Sequence, residues 1–262
     1  TGGRVDIRGL PAPSGKASGP INLALDRLVI SDGMWLGGMR ANFPPGRGIS
    51  GGFTGRLNGG AAIAGQVTPT DRGNAIRLTS SDAGAVLTSA RLLKSASDGH
   101  LVVDLVPLGP KGSYDGTALI KDISVYEAPV IAEIMSGLSI VGLIEQMAGE
   151  GLKFTEVDAA FRITPDRVTI KSASAVGAST GISVDGYYYP QAKQLDLQGV
   201  FSPFYLLNAV GSLLTRKGEG LIGMNFTLQG PVAAPRVQVN PLSLLTPGAF
   251  REIFRRAPPK PE

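Results

Sequence analysis

Cysteine is absent from this 262-residue chain, and histidine occurs once, as His100. The first absence excludes a disulfide framework and any thiolate metal site. The second leaves a zinc centre only carboxylates beside a single imidazole, an unusual ligand set for that metal, and no metal or cofactor is expected. Charge is sparse as well: Lys and Arg number 25, Asp and Glu 21, and charged residues are 18% of the chain, with net charge +4 and pI near 9.4. The basic residues are scattered apart from Arg251, Arg255, Arg256 and Lys260, and aromatics are only 6%. The stripe of cations interleaved with aromatics that nucleic-acid binding calls for is therefore missing. Thr1-Gly2-Gly3 leads straight into alternating sequence, without the charged and apolar regions of a secretory signal. The chain reads as a piece of something longer.

Glycine (36) and proline (19) are abundant, together about a fifth of the residues, while hydrophobic residues make up 43%. That combination punctuates many short strands and is too apolar for disorder, so a β-rich fold long enough to bury a sizeable core is expected. Mean hydropathy is +0.13. Some apolar side chains are thus expected to face a ligand or a membrane rather than a core.

Alternation of apolar and polar residues recurs along the chain. Val5 to Leu10, Ile21 to Ile30, Met34 to Phe43, Phe53 to Leu57, Ala61 to Val67 and Ala75 to Ser80 read as strands, with tight turns at Asp32-Gly33 and Asn58-Gly59-Gly60. Leu101 to Val106 and Tyr114 to Val125 continue the series. The clearest case is Val157, Ala159, Phe161 and Ile163 on one face of a strand, against Glu156, Asp158 and Arg162 on the other. After a turn at Thr164-Pro165-Asp166 come Val168 and Ile170, then Ile182, Val184, Gly186 and Tyr188, then Leu195, Leu197, Gly199 and Phe201. A further strand starts at Ile222, with Met224, Phe226 and Leu228 alternating, and another stops at Asn240-Pro241.

Four segments read as helices. Ser81-Asp82 caps a run over 83–92. Segment 128–148 opens with Pro129 at a first helical position, and its uncharged stretch between Glu133 and Glu145 is 11 residues, well short of the roughly 20 that cross a bilayer. Segment 203–214 also opens on proline. In 247–256, Phe250, Ile253 and Phe254 form an apolar stripe flanked by Arg251 and Arg255, which suits either contact with a membrane surface or capping of the β core. Residues 257–262 read as a disordered tail. Gly149-Glu150-Gly151-Leu152 and Gly218-Glu219-Gly220-Leu221 each follow a helix and open a strand, a helix–GEGL–strand unit that occurs twice.

Catalytic motifs fail on context. Gly218, Gly220 and Gly223 match a dinucleotide fingerprint, but the order is helix then strand, the reverse of what pyrophosphate binding needs. Gly177-Ala178-Ser179-Thr180-Gly181 matches a nucleophile elbow, yet no histidine follows it. Glu156 and Asp158 lie on one strand face, where a solvated surface is a simpler reading than the opposed carboxylates of glycan hydrolysis. No catalytic residue is assigned.

The SDAGA stretch from Ser81, SIVGLIEQMAGEGLKF from Ser139, FSPFYLLNAVGSLL from Phe201 and NPLSLLTPG from Asn240 resemble the C-terminal region of the AsmA-like family of Gram-negative bacteria, of TamB/YhdP type. The likeness covers roughly 81–256, and 1–80 are similar to that family's looser strand repeats. It implies a periplasmic segment, without enzymatic activity, of a protein anchored in the inner membrane by a segment outside this chain. It also implies an apolar β-groove that passes phospholipid between inner and outer membrane, with phospholipid acyl chains as partners.

The fold expected is therefore mainly β with a few short helices: a long antiparallel, strongly twisted sheet forming an open or half-closed apolar groove, helices covering part of its concave face. Candidate groove residues are Val157, Ala159, Phe161, Ile163, Ile182, Val184, Leu195, Leu197, Ile222, Met224, Phe226 and Leu228. Phe250, Arg251, Ile253, Phe254 and Arg255 form a membrane-contacting or end-capping helix. The alternative is a structural module of the cell envelope that docks to an outer-membrane protein without carrying lipid.

Overall fold

A computed structural model describes residues 2–6, 16–17, 19–110, 112–127, 129–137, 151–178, 180–203, 217–219, 223–240, 242–243, 255–257 and 259–260. The first half runs β1 (Arg4–Asp6), β2 (Lys16–Ala17), β3 (Ile21–Ser31), β4 (Met34–Phe43), β5 (Gly46–Arg47), β6 (Gly51–Leu57), β7 (Ala62–Thr70), β8 (Gly73–Ser80), α1 (Ala83–Ser89), β9 (Ser95–Ser97), β10 (His100–Pro107) and β11 (Tyr114–Glu127). The second half runs α2 (Pro129–Gly137), β12 (Leu152–Ile163), β13 (Val168–Gly177), β14 (Thr180–Tyr189), β15 (Gln194–Pro203), β16 (Met224–Pro231) and β17 (Arg236–Asn240).

Fifteen of these strands make one sheet in near-sequential order, β1-β3-β4-β6-β7-β8-β10-β11-β12-β13-β14-β15-β16-β17, with β9 beside β11 beyond the end of β10. Every pairing in it is antiparallel except that of β1 with β3. Most sequence neighbours pair through short turns of the predicted kind, whereas longer connections carry α1 between β8 and β10 and α2 between β11 and β12. Asp32-Gly33 joins β3 to β4. Asn58, at φ 49°, begins the β6–β7 turn and spends its amide on the carbonyls of Gly33 and Ser89. The sheet does not close into a barrel: among the described residues β1 and β17 remain unpaired edges. It crosses the 80/81 boundary without a break, since β8 pairs with β10.

The sheet is curved around its helices. Asp82 caps α1 by accepting a 2.8 Å hydrogen bond from Ala85 N–H. Gly84 lies so close to Ser97 that a Cβ there would stand 2.3 Å from the Ser97 backbone nitrogen. α2 follows β11 yet touches β17, six strands further along the sheet, so β11 to β17 wrap around it. Ile134 and Met135 of α2 are fully buried, joining Ile123, Val125, Leu152, Phe154, Ile182, Phe201 and Phe226 in one core.

Several expectations change. The helix over 83–92 ends at Ser89, with Arg91 at φ 60°. Segment 128–148 is helical through Gly137, and its remainder lies outside the described residues. Pro203 does not begin a helix: it is the last residue of β15, paired with Thr180, and 204–214 lie outside the described residues. The strand expected from Ile222 starts at Met224, and Ile222 itself lies outside the described residues, as do Phe250, Arg251, Ile253 and Phe254. The disorder expected of 257–262 does not hold for Lys260, whose backbone N–H donates to Tyr187 Oη at 3.1 Å.

Candidate functional site

The strand register aligns the predicted groove residues. Reading across the hydrogen-bonded partners, one row runs Leu23–Ala41–Phe53–Gly65–Leu78–Val103–Ala118–Ala159–Ala173–Val184–Gly199–Phe226–Val239. No polar side chain interrupts it over thirteen strands, a distance of about 58 Å at about 4.8 Å per strand. A second row, two residues along each strand except for three on β13, is Gly51–Val67–Ile76–Leu105–Gly116–Phe161–Ile170–Gly186–Leu197–Leu228–Val237. A third is Leu101–Ile120–Val157–Ala175–Ile182–Phe201–Met224. Ile163 and Leu195 lie in a fourth, with Val168 and Tyr188 between them. All eleven described groove candidates thus share one face of the sheet.

Three aromatic rings smooth that wall. Phe53 lies over Gly65, Phe161 over Gly116 and Phe226 over Gly199; a Cβ on those glycines would stand 2.2, 2.2 and 2.6 Å from ring atoms. Each phenyl fills the space its cross-strand neighbour lacks and so lies along the sheet. The third row is largely closed off, with Leu101, Ile120, Ile182, Phe201 and Met224 at most 9% exposed in the core beneath α1 and α2. The first two rows are buried at β15 and β16, where Leu197, Phe226 and Leu228 are buried. Between β6 and β14 the first row is only half-buried throughout. The wall therefore has a filled end and an open band, the latter about 34 Å long at about 4.8 Å per strand.

The opposite face is polar. Arg162 makes two 2.9 Å hydrogen bonds to Asp115, and Lys171 adds a third at 2.7 Å. The Arg162 bonds, joined by those of Lys171, outweigh partial burial and lower the Asp115 pKa to about 2. Glu156 and Asp158, the carboxylates tested above for acid/base chemistry, are neutralised by Lys121 and Lys217, and Ser174 donates to Asp158. Ion-paired on one strand face, they are not an opposed acid and base.

Over part of β14 to β16 the polar face is buried too, beneath Glu219, residues 255–257 and residues 259–260. Arg255 bridges Asp185 and Glu219, all three side chains no more than 4% exposed, while Ser183 Oγ donates to Glu219 at 2.6 Å. Burial works against the Arg255 charge, but the two carboxylates outweigh it and hold its pKa above the ordinary value. Arg256 pairs with Asp196, and its backbone N–H donates to Gln198 Oε1. Of the predicted end helix only Arg255 and Arg256 are described, and Arg255 is a buried clasp rather than a solvent-facing cation.

Sequence reading missed the contributions of β3, β4, β6, β7, β8, β10, β11, β13 and β17 to the wall. Their alternation was visible, but which face each strand presents depends on register. No family model, curated protein or solved structure matches the chain.

Proposed function

We propose that the open band is a trough along which phospholipid acyl chains lie, so that the chain is a non-enzymatic lipid-conducting segment of the AsmA-like kind, working between two membranes in the periplasm. The observation that carries this reading is the uninterrupted apolar row, half-buried from Phe53 to Val184. Exposing an acyl chain of about 15 methylenes to water costs roughly 12 kcal/mol, at about 0.8 kcal/mol each. A hydrocarbon wall offsets most of that. One leaflet's acyl depth is about 15 Å, half of a bilayer's hydrocarbon core, so a band of about 34 Å accommodates a chain lengthwise. Polar anchors are absent from the row, which favours movement along it over tight capture, because every position offers the same dispersion contacts and no hydrogen bond to break.

The test is photocrosslinking in the presence of vesicles of phosphatidylethanolamine and phosphatidylglycerol, with benzoylphenylalanine at position 161 in the open band or at position 226 in the filled end. Phospholipid adducts at 161 and none at 226 are expected. Protein adducts alone at 161 would count for the docking module instead and remove the trough.

A further inference from the structure

We propose that the depression on the polar face bounded by Arg40, Arg56 and His100 is a binding site for a phosphate ester. It lies across β4, β6, β7, β8 and β10, away from the apolar wall, and has a volume of about 680 Å³. Its floor is small. Thr54, Ala64, Thr79 and Val102 form one cross-strand row, with Gly55 and Ala62 alongside, so the long side chains of Arg40 and Arg56 stand at the margin of a low patch. Arg40 is opposite Thr54, and Arg56 is two residues from Thr54 on the same strand and therefore on the same face.

Over much of this face the cations are neutralised by carboxylates. Arg77 is paired with Asp104, Arg162 and Lys171 with Asp115, Lys121 and Lys217 with Glu156, and Arg256 with Asp196. Among the described residues Arg40 and Arg56 have no carboxylate partner, and no Asp or Glu lines the depression. The nearest carboxylates in sequence are already engaged, Asp82 as the cap of α1 and Asp98 as acceptor from Ser97. Two guanidiniums around one hollow repel each other until an anion sits between them. Thr54, Thr79 and Ser81 add hydroxyl donors that form no hydrogen bond within the described residues, whereas Ser80 is spent on the Ala62 carbonyl.

Guanidinium forks and several hydroxyls on different sides suit an anion with three or more acceptor oxygens better than a carboxylate with two. The hollow exceeds what a bare oxyanion fills, and its alanine and glycine floor accepts carbon, so an ester fits better than inorganic phosphate. Soluble esters and lipid headgroups share this chemistry.

Two-dimensional NMR of the 262-residue chain, titrated with glycerol 3-phosphate, inorganic phosphate and acetate, tests the proposal. The amides of Thr54, Ala64 and Thr79 are expected to shift saturably, the ester binding at least as tightly as inorganic phosphate and acetate more weakly. The double variant Arg40→Gln, Arg56→Gln should weaken ester binding at least about tenfold, since charge-assisted bonds are lost. Arg72→Gln, at another unpaired arginine, should not. Shifts elsewhere, equal response to acetate, or an unchanged double variant would overturn the site. Co-sedimentation with phosphatidylcholine vesicles containing phosphatidylglycerol, lost in the double variant, assigns the ester to a lipid headgroup. Co-sedimentation that is absent, or equal in both proteins, assigns it to soluble esters. Phe161→Asp should titrate like the parent, so failure here leaves the trough untouched, and the reverse.

Discussion

Arg255 shows how a single residue takes its meaning from what folds over it. Its sequence context, an apolar stripe flanked by cations, placed it on a helix surface, whereas in the structure it is enclosed between Asp185 and Glu219. Those partners lie 70 and 36 residues away, so no local pattern announces them. Asp115 is the more accessible case, about 35% exposed and held by Arg162 and Lys171. Because its pKa in the folded state is depressed from 3.8 to about 2, the stabilisation it brings is present above pH 4 and is lost as pH falls toward 2. Solvent screening at that exposure reduces the contribution to about 1 kcal/mol. Asp115→Asn should therefore cost about that much in urea unfolding at pH 5, and the two proteins should converge near pH 2. A difference that persists at pH 2 would mean that Asp115 acts through packing.

At the scale of strands, alternation was readable but its phase was not. Ile120 and Ile123 of β11 both join the core although they are three positions apart, because Asp122 at φ 58° turns the chain by one position. The facing strand matches this, with Phe154 and Val157 in the same cluster. β4 slips between Gly37 and Arg40, and β13 between Ile170 and Ala173. Such bulges re-aim a strand halfway along, so the polar and apolar faces cannot be assigned by counting in twos. The start of α1 was legible from Asp82, whose short carboxylate side chain suits an N-cap. The Phe–Gly pairs were not, since each joins different strands. They differ in tolerance. A Cβ on Gly199 would stand 2.1 Å from the Ser183 carbonyl oxygen as well as against the buried Phe226 ring, whereas the three atoms nearest one on Gly65 all belong to the Phe53 ring, a half-buried side chain with room to swing away. Gly199→Ala should then cost about 3 kcal/mol, near the top of the range for overpacking, and Gly65→Ala about 1 kcal/mol or less, as measured by equilibrium denaturation. Equal costs would mean that Phe53 is held as firmly as Phe226.

For the molecule as a whole, the question is whether its apolar face is a core or a surface. Composition and turn chemistry foretold a largely antiparallel sheet, and its curvature, with helices over part of its concave face, was what the resemblance implied. They left undetermined how much of the wall those helices occupy, because coverage depends on α2 reaching β17 across the width of the sheet. Two phenylalanines on that one face separate the cases. Phe201 is 0% exposed beneath the helices, and Phe161 is half-buried in the open band over Gly116. A carboxylate at 201 has no route to water, so Phe201→Asp should cost more than about 4 kcal/mol, the lost packing and the buried charge together, and leave little folded protein. At 161 the same substitution keeps its charge hydrated at the wall's open side, costs about 1–2 kcal/mol, and leaves the unfolding transition cooperative. It also places a fixed charge in the middle of the band, against which each passing methylene loses its apolar contact. Phe161→Asp should therefore fold yet lose transfer of fluorescent phospholipid between vesicles, read against the parent chain in the same assay. If it unfolds as Phe201→Asp does, the band is core and carries nothing; if it folds and transfers lipid at the parental rate, the lipids travel elsewhere.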